Sequence, residues 1–167
     1  QVPHRVYTNK GLEPDTRIGI DGSSAYGILY DSKELQQAVS DWYQQNFEGT
    51  SLKVKNIEKG LYQLKLQKNN EMATEVNLAD EGQGMSQVLP IVVRCLKKDS
   101  VPTIIVVEQP ELHLHPAAHE NLAKLFANTS KELNHSYIIE THSENILLGI
   151  RDAIVDEDNP LDAKDVL

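Results

Sequence analysis

The stretch Thr103–Pro116, TIIVVEQPELHLHP, decides the reading of this chain, together with Ile138–Ser143, IIETHS. Each is an apolar, β-branched run that stops abruptly in acidic and imidazole side chains. About thirty residues lie between them, the span of one strand–helix–strand crossover in a parallel sheet. Open α/β sheets bind their ligands at the carboxyl ends of such strands. The pattern therefore predicts Glu108, Gln109, Glu111, His142 and Ser143 along one edge of one sheet.

Working outward, Pro116 starts a helix whose residues Leu122, Leu125, Phe126 and Leu133 point inward, and Tyr137–Ile139 is the next strand. Ser143 caps a last helix that carries Ile146, Leu147, Ile150 and Ile154, and a polar tail follows. Upstream, ADEGQGMSQVLPIVVRCL begins rich in glycine and becomes a helix, with Pro90 expected near its first turn. Before Asp80 the period changes to strict alternation. SLKVKNI, LYQLKLQ and ATEVNLA read as an antiparallel meander with one wet face, its lysines solvated. Ser32 caps an earlier helix with Leu35, Val39, Trp42, Tyr43 and Phe47 on one face, ended by Gly49. RIGI (Arg17–Ile20) and YGILY (Tyr26–Tyr30) read as short strands around an Asp21–Ser24 turn. The division is a β-rich lobe with one helix over 1–79 and an α/β part over 80–167. No internal repeat or low-complexity tract is visible.

The totals bound what this can be. At 167 residues with 40% hydrophobic side chains, one domain or a domain and a small lobe can bury a real core. No apolar run approaches the roughly 20 residues that span a bilayer, and QVPHRVYTNK has no apolar segment of a signal peptide. The single cysteine, Cys95, excludes an internal disulfide framework and fits a reducing compartment, the cytoplasm. Its apolar setting marks it as a buried structural thiol. A formal net charge of −9 argues against a broad nucleic-acid surface, which needs clustered Lys and Arg. A nucleotide can still bind an acidic chain locally, through Mg²⁺ and backbone N–H groups. The opening Gln and the early stop after an acidic run suggest a piece of something longer.

The side chains at the sheet edge suit phosphate chemistry. An acid such as Glu108 at a strand end can hold Mg²⁺ at a nucleotide's oxygens. Gln109 can orient an attacking water but cannot take its proton; Glu111 could. His142 could donate to a γ-phosphate oxygen. Gly82, Gly84, Ser86 and Gln87 lie at a helix start, where free N–H groups and a dipole term of about 0.3–1 kcal/mol assist anion binding. Plainer readings stand beside these: loop polars capping the Pro116 helix, a structural histidine, an ordinary glycine turn. His113, His115 and His119 open another route, a zinc site for hydrolysis completed by a carboxylate such as Glu111. Serine-nucleophile chemistry has no support, since no G-x-S-x-G elbow occurs.

Taken together, these segments resemble the ATPase heads of the ABC/SMC-like branch of P-loop NTPases. More closely they resemble the predicted AAA ATPases related to the overcoming-lysogenization-defect (OLD) family. There the Walker B strand runs into Glu, Glu or Gln, then P-E-x-H-L-H-P, which IIVVEQPELHLHP matches throughout. The next strand ends in E-T-H-S, as at Glu140–Ser143, with His142 in the switch-histidine place. The signature loop G-x-G-x-S-Q-x-L-P matches Gly82–Pro90. The resemblance implies an α/β fold, a partial P-loop NTPase parallel sheet with an antiparallel β-rich lobe at the front. It implies ATP and Mg²⁺ as cofactors, Glu108 holding the metal, Gln109 in the catalytic-carboxylate place, and His115 where transporters carry the D-loop aspartate. Ser86 and its glycines would reach across a head-to-head homodimer to the partner's γ-phosphate.

Two departures bear on activity. No G-x-x-x-x-G-K followed by Ser or Thr occurs, and no Gly precedes a Lys. The P-loop is expected in a missing N-terminal half, and these 167 residues alone are expected neither to bind ATP well nor to hydrolyse it. Gln109 is no base, and loss of a general base slows turnover by about 10²–10⁴. Relatives of this architecture serve DNA repair and phage defence through a nuclease or other effector. No nuclease motif, direct nucleic-acid surface or membrane segment is evident here. The competing readings are the zinc-dependent hydrolase and a catalytically degenerate ATPase-like interaction module.

Overall fold

Packing sorts this chain into two compact units, Gln1–Arg94 and Cys95–Leu167. The computed structural model describes residues 4–8, 19, 21–68, 74–155 and 161–166. Each unit is built around its own sheet, antiparallel in the first and parallel in the second.

In the first unit, β1 (Tyr7–Thr8), β2 (Thr50–Glu58), β3 (Leu61–Lys68) and β4 (Glu75–Asn77) form the antiparallel sheet. β3 is its centre, pairing with the other three. Its sequence LYQLKLQK buries Tyr62, Leu64 and Leu66, one side chain in two, as the period of a strand requires. Gly60, at φ 81°, makes the tight turn between β2 and β3 that a side chain would strain. Helix α1 (Ala25–Asp31) is followed at once by α2 (Lys33–Asn46), which packs on β2. The Ser32 hydroxyl accepts from the Leu35 N–H, the expected cap, and Leu35, Val39, Trp42 and Tyr43 are buried. The rings of Tyr26, Tyr7, Tyr62 and Tyr30 follow one another in that order, with successive centroids 4.4–5.5 Å apart.

Two expectations here are corrected. Tyr26–Tyr30 is helical, not a strand: Ala25, Tyr26, Ile28 and Leu29 are buried at helical spacing. A five-residue apolar run is too short for its period to separate the two states. Of the other proposed strand, all but Gly19 lies outside the described residues. Pro90 stands in the middle of α3 (Gln83–Leu96), not near its first turn. The helix tolerates there a residue that cannot donate the backbone hydrogen bond one turn back. Division by sequence period at Asp80 and division by packing after Arg94 differ by the placing of most of α3. Within the first unit, the Tyr43 hydroxyl donates to the Met85 carbonyl and ties α3 to α2.

In the second unit, β5 (Thr103–Glu108) and β6 (His135–Glu140) pair in parallel, in register from Thr103↔His135 to Glu108↔Glu140. Between them runs α4 (Pro116–Glu132), and after them α5 (Glu144–Val155). The two helices pack on each other, and α4 packs on β6. Gly149 permits that closeness, because a Cβ there would meet the Ala123 Cβ at 2.6 Å. Leu122, Leu125, Phe126 and Ile146 are buried as expected, but Leu147 is exposed. Burial on α5 follows Ile146, Gly149 and Ala153, a narrower stripe than the apolar sequence offers. Buried Thr129 donates to the Leu125 carbonyl and shares a hydrogen bond with the Tyr137 hydroxyl, which in turn reaches buried His135. Cys95 is fully buried.

Among the described residues, the parallel pair is covered on one face only. Ile105 and Val107 are buried, whereas Ile104, Val106 and Ile138 are 69%, 65% and 60% exposed.

Candidate nucleotide-phosphate site

β5 and β6 deliver their last residues, Glu108 and Glu140, to the same level of one sheet edge. Both carboxylates are exposed. The next backbone group continues the pairing, as the Gln109 N–H donates to the Glu140 carbonyl at 2.8 Å. The chain then turns sharply. Gln109 has φ 45° and His113 φ 64°, left-handed conformations uncommon outside glycine. The Leu112 N–H closes on the Gln109 carbonyl at 3.1 Å and the Leu114 N–H on the Glu111 carbonyl at 3.0 Å. Such strain at a strand's carboxyl end is a mark of functional loops.

The loop is tied to the turn after β6. Oε1 of Glu111 accepts from the His142 N–H at 2.8 Å, across 31 residues of sequence. Partial burial pushes the Glu111 carboxyl up, but hydrogen bonds from its own N–H, the His142 N–H and the Thr141 hydroxyl outweigh it, with the nearby His119 ring adding to them, and hold it below the usual glutamate range. The His142 side chain is exposed at the same edge. Ser143 Oγ accepts from the Ile146 N–H at 3.3 Å, capping α5, and lies 2.7 Å from His119 Nδ1.

The structure thus brings together Glu108, Gln109, Glu111 and His142, all within the second unit. His115 is elsewhere employed: its Nδ1 accepts from the Ala117 N–H at 3.3 Å, capping α4 ahead of Pro116. Gly82, Gly84, Ser86 and Gln87 lie at the start of α3 in the first unit. There Ser86 is buried, with Oγ donating to the Gln83 carbonyl at 2.9 Å. Gly82 has no atom within 4 Å of a would-be Cβ, so nothing in the fold itself demands glycine there.

The zinc reading fails. His113 sits exposed on a left-handed turn, His115 caps a helix and His119 bonds Ser143. Among the described residues, no group of three His, Cys, Asp or Glu side chains could hold a metal ion. Sequence reasoning missed His119 as a structural partner of Ser143, because a contact 24 residues away leaves no local pattern.

Comparison with known families settles the class. The AAA ATPase domain family matches residues 24–147, most of the chain. The chain belongs to this family. Among solved structures, this AAA ATPase domain is similar to an SMC ATPase described for ATP-driven dimerization and DNA stimulated activation, with TM-score 0.58 and 15% identity over 75% of this chain and 77% of that one. It is similar to an SmcHead bound to the C-winged helix domain of ScpA, with TM-score 0.60 and 14% identity over 78% of this chain and 41% of that one. A third likeness is the Smc head domain with an extended coiled coil, bound to the C-terminal domain of ScpA derived from Pyrococcus furiosus. There the TM-score is 0.53 and the identity 14%, over 78% of this chain and 33% of that one. At these identities the likeness is one of fold: mixed α/β, with a parallel sheet, helices and an antiparallel sheet. No curated protein matches significantly. Among the described residues, no helix is long and apolar enough to cross a membrane.

Proposed function

We propose that this AAA ATPase domain supplies the metal-holding acid and the γ-phosphate sensor of an ATP-hydrolysing head related to the OLD family. The observation that carries the reading is the parallel register Glu108↔Glu140, which brings Glu108, Gln109 and His142 to one sheet edge. Two exposed carboxylates at adjacent strand ends are hard oxygen donors of the kind Mg²⁺ takes alongside nucleotide phosphates. When bound, Mg²⁺ neutralises charge on the phosphate oxygens. Glu108 would hold it, Gln109 would orient the attacking water, and His142 would donate to the γ-phosphate. The strained Gln109 backbone fixes that side chain's origin. With an amide in place of a base, turnover is expected to be slow, by about 10²–10⁴ against a carboxylate.

The P-loop would come from polypeptide outside these 167 residues. Supporting this, the bare apolar face of β5–β6 is what a parallel sheet covers when complete. Heads would dimerise around ATP, with Gly82, Gly84, Ser86 and Gln87 offered to the partner's nucleotide and His115 in the D-loop place; the open space at Gly82 suits backbone approach. The ATP-driven dimerization described for an SMC ATPase of this fold supports that arrangement. A nuclease or other effector, acting in DNA maintenance or defence in the cytoplasm, is the expected output. The degenerate reading keeps the dimerisation and drops the turnover.

The test is ATP turnover by the protein carrying this chain together with its P-loop, beside Glu108→Gln and His142→Ala. Mg²⁺-dependent turnover that falls at least about 100-fold in both variants supports the reading. ATP-dependent dimers without turnover favour the degenerate version, and no effect of either substitution sinks both.

A further inference from the structure

We infer that Glu111 is a positioning residue that latches the turn bearing His142 to the loop after β5, with His119 as the second tether. The inference rests on the ATPase reading for its functional meaning and on geometry alone for the latch.

The carboxylate is already engaged. Its Oε1 accepts the His142 N–H at 2.8 Å, while Oε2 is buried. A carboxylate so placed has one oxygen shut away from water and the other already committed to the His142 backbone. It is instead a charge-assisted acceptor for the backbone of the residue whose ring senses phosphate. One residue on, the second tether completes the hold. The Ser143 hydroxyl accepts from the Ile146 N–H and, since the Leu114 carbonyl beside Nε2 can only accept, donates its hydrogen to His119 Nδ1 at 2.7 Å. That leaves Nε2–H to donate to the Leu114 carbonyl at 3.3 Å. Every polar position of the imidazole is then used, and the ring bridges the loop after β5 to the cap of α5. The Thr141 hydroxyl closes the turn from inside by accepting from the Ser143 N–H at 3.0 Å.

The two tethers hold consecutive residues, His142 through its backbone and Ser143 through its side chain, to a loop that begins with the strained Gln109. Displacement of that loop, such as rearrangement at Gln109 when phosphate leaves, is transmitted to His142 without contact between the two side chains. Glu111 would therefore act through His142 and not on water.

The discriminating pair is Glu111→Gln and Glu111→Ala. Glutamine keeps a carbonyl oxygen for the His142 N–H but can never take a proton; alanine loses both. Two readouts are needed, hydrogen exchange at the His142 amide in the chain itself and ATP turnover in the P-loop-bearing protein. We expect exchange at least about tenfold faster in Glu111→Ala, near-wild-type protection in Glu111→Gln, and turnover that follows the same order. Should Glu111→Ala fail to fold, Glu111→Asp, one methylene short, reads the same loss. Turnover abolished in Glu111→Gln with the amide still protected would make Glu111 the base and overturn the inference. Unchanged protection in Glu111→Ala would remove the latch. If the wild-type protein turns over no ATP, the ATPase reading falls, and the exchange experiment still decides the latch.

Discussion

Glu111 gives the molecule a local acid response whose sign follows from its surroundings. Partial burial alone would raise its proton affinity, but the N–H and O–H donors around it, with His119 nearby, outweigh that effect, and the carboxyl sits below the usual glutamate range. The folded state thus binds the proton less well than the unfolded chain. Its contribution is fully present above the ordinary glutamate range and is lost as pH falls through the depressed value. Protection of the His142 amide should therefore fade on acidification in the wild type and not in Glu111→Gln, as read by hydrogen exchange across a pH series. A pH-independent amide in the wild type would contradict the assignment. At this scale the sequence was legible where chemistry ends a strand: Glu108, Gln109 and His142 declare themselves by following β-branched runs. Glu111 and His119 do not, because each acts through a partner 31 or 24 residues away.

At the scale of elements, the α4–α5 contact is the part of the second unit most sensitive to a single methyl group. Gly149 is a helix-interior glycine, and replacing it by alanine would ordinarily gain about 0.5–1 kcal/mol of backbone stability. A Cβ there would stand 2.6 Å from the Ala123 Cβ and 3.4 Å from the Glu120 Cα, so the helices must separate. Overpacking of this kind typically costs about 1–3 kcal/mol, which outweighs the gain. Gly149→Ala should lower the melting temperature, and the double variant Gly149→Ala/Ala123→Gly should recover most of the loss. The same elements show what patterns disclose. α4 was legible from Pro116 and its inward leucines, and β3 from unbroken alternation. α1 was not, because its run is too short to display a period, and Pro90 was misplaced because only tertiary packing fixes where a helix starts.

For the molecule as a whole, the unbalanced surface is the uncovered face of β5–β6. A two-stranded sheet is marginal by itself, and parallel strands are apolar on both sides because both are normally covered. Here α4 packs on one face, and among the described residues Ile104, Val106 and Ile138 stand 60–69% exposed on the other. The apolar runs TIIVVE and YIIE are legible as strands buried on both faces, but which side stays bare depends on what else joins the sheet, and no residue in the run records that. Isolated, the chain should bind an apolar fluorescent dye and self-associate with rising concentration, despite its net charge of −9. Substituting Val106→Thr and Ile138→Thr together should weaken both signals while moving the melting temperature little, since exposed positions contribute little burial energy. Joining the chain to the proposed P-loop segment should abolish dye binding without any substitution. A wild-type chain that is monomeric and dye-silent would mean that its own residues cover this face, and the case for further strands on the sheet would fail with it.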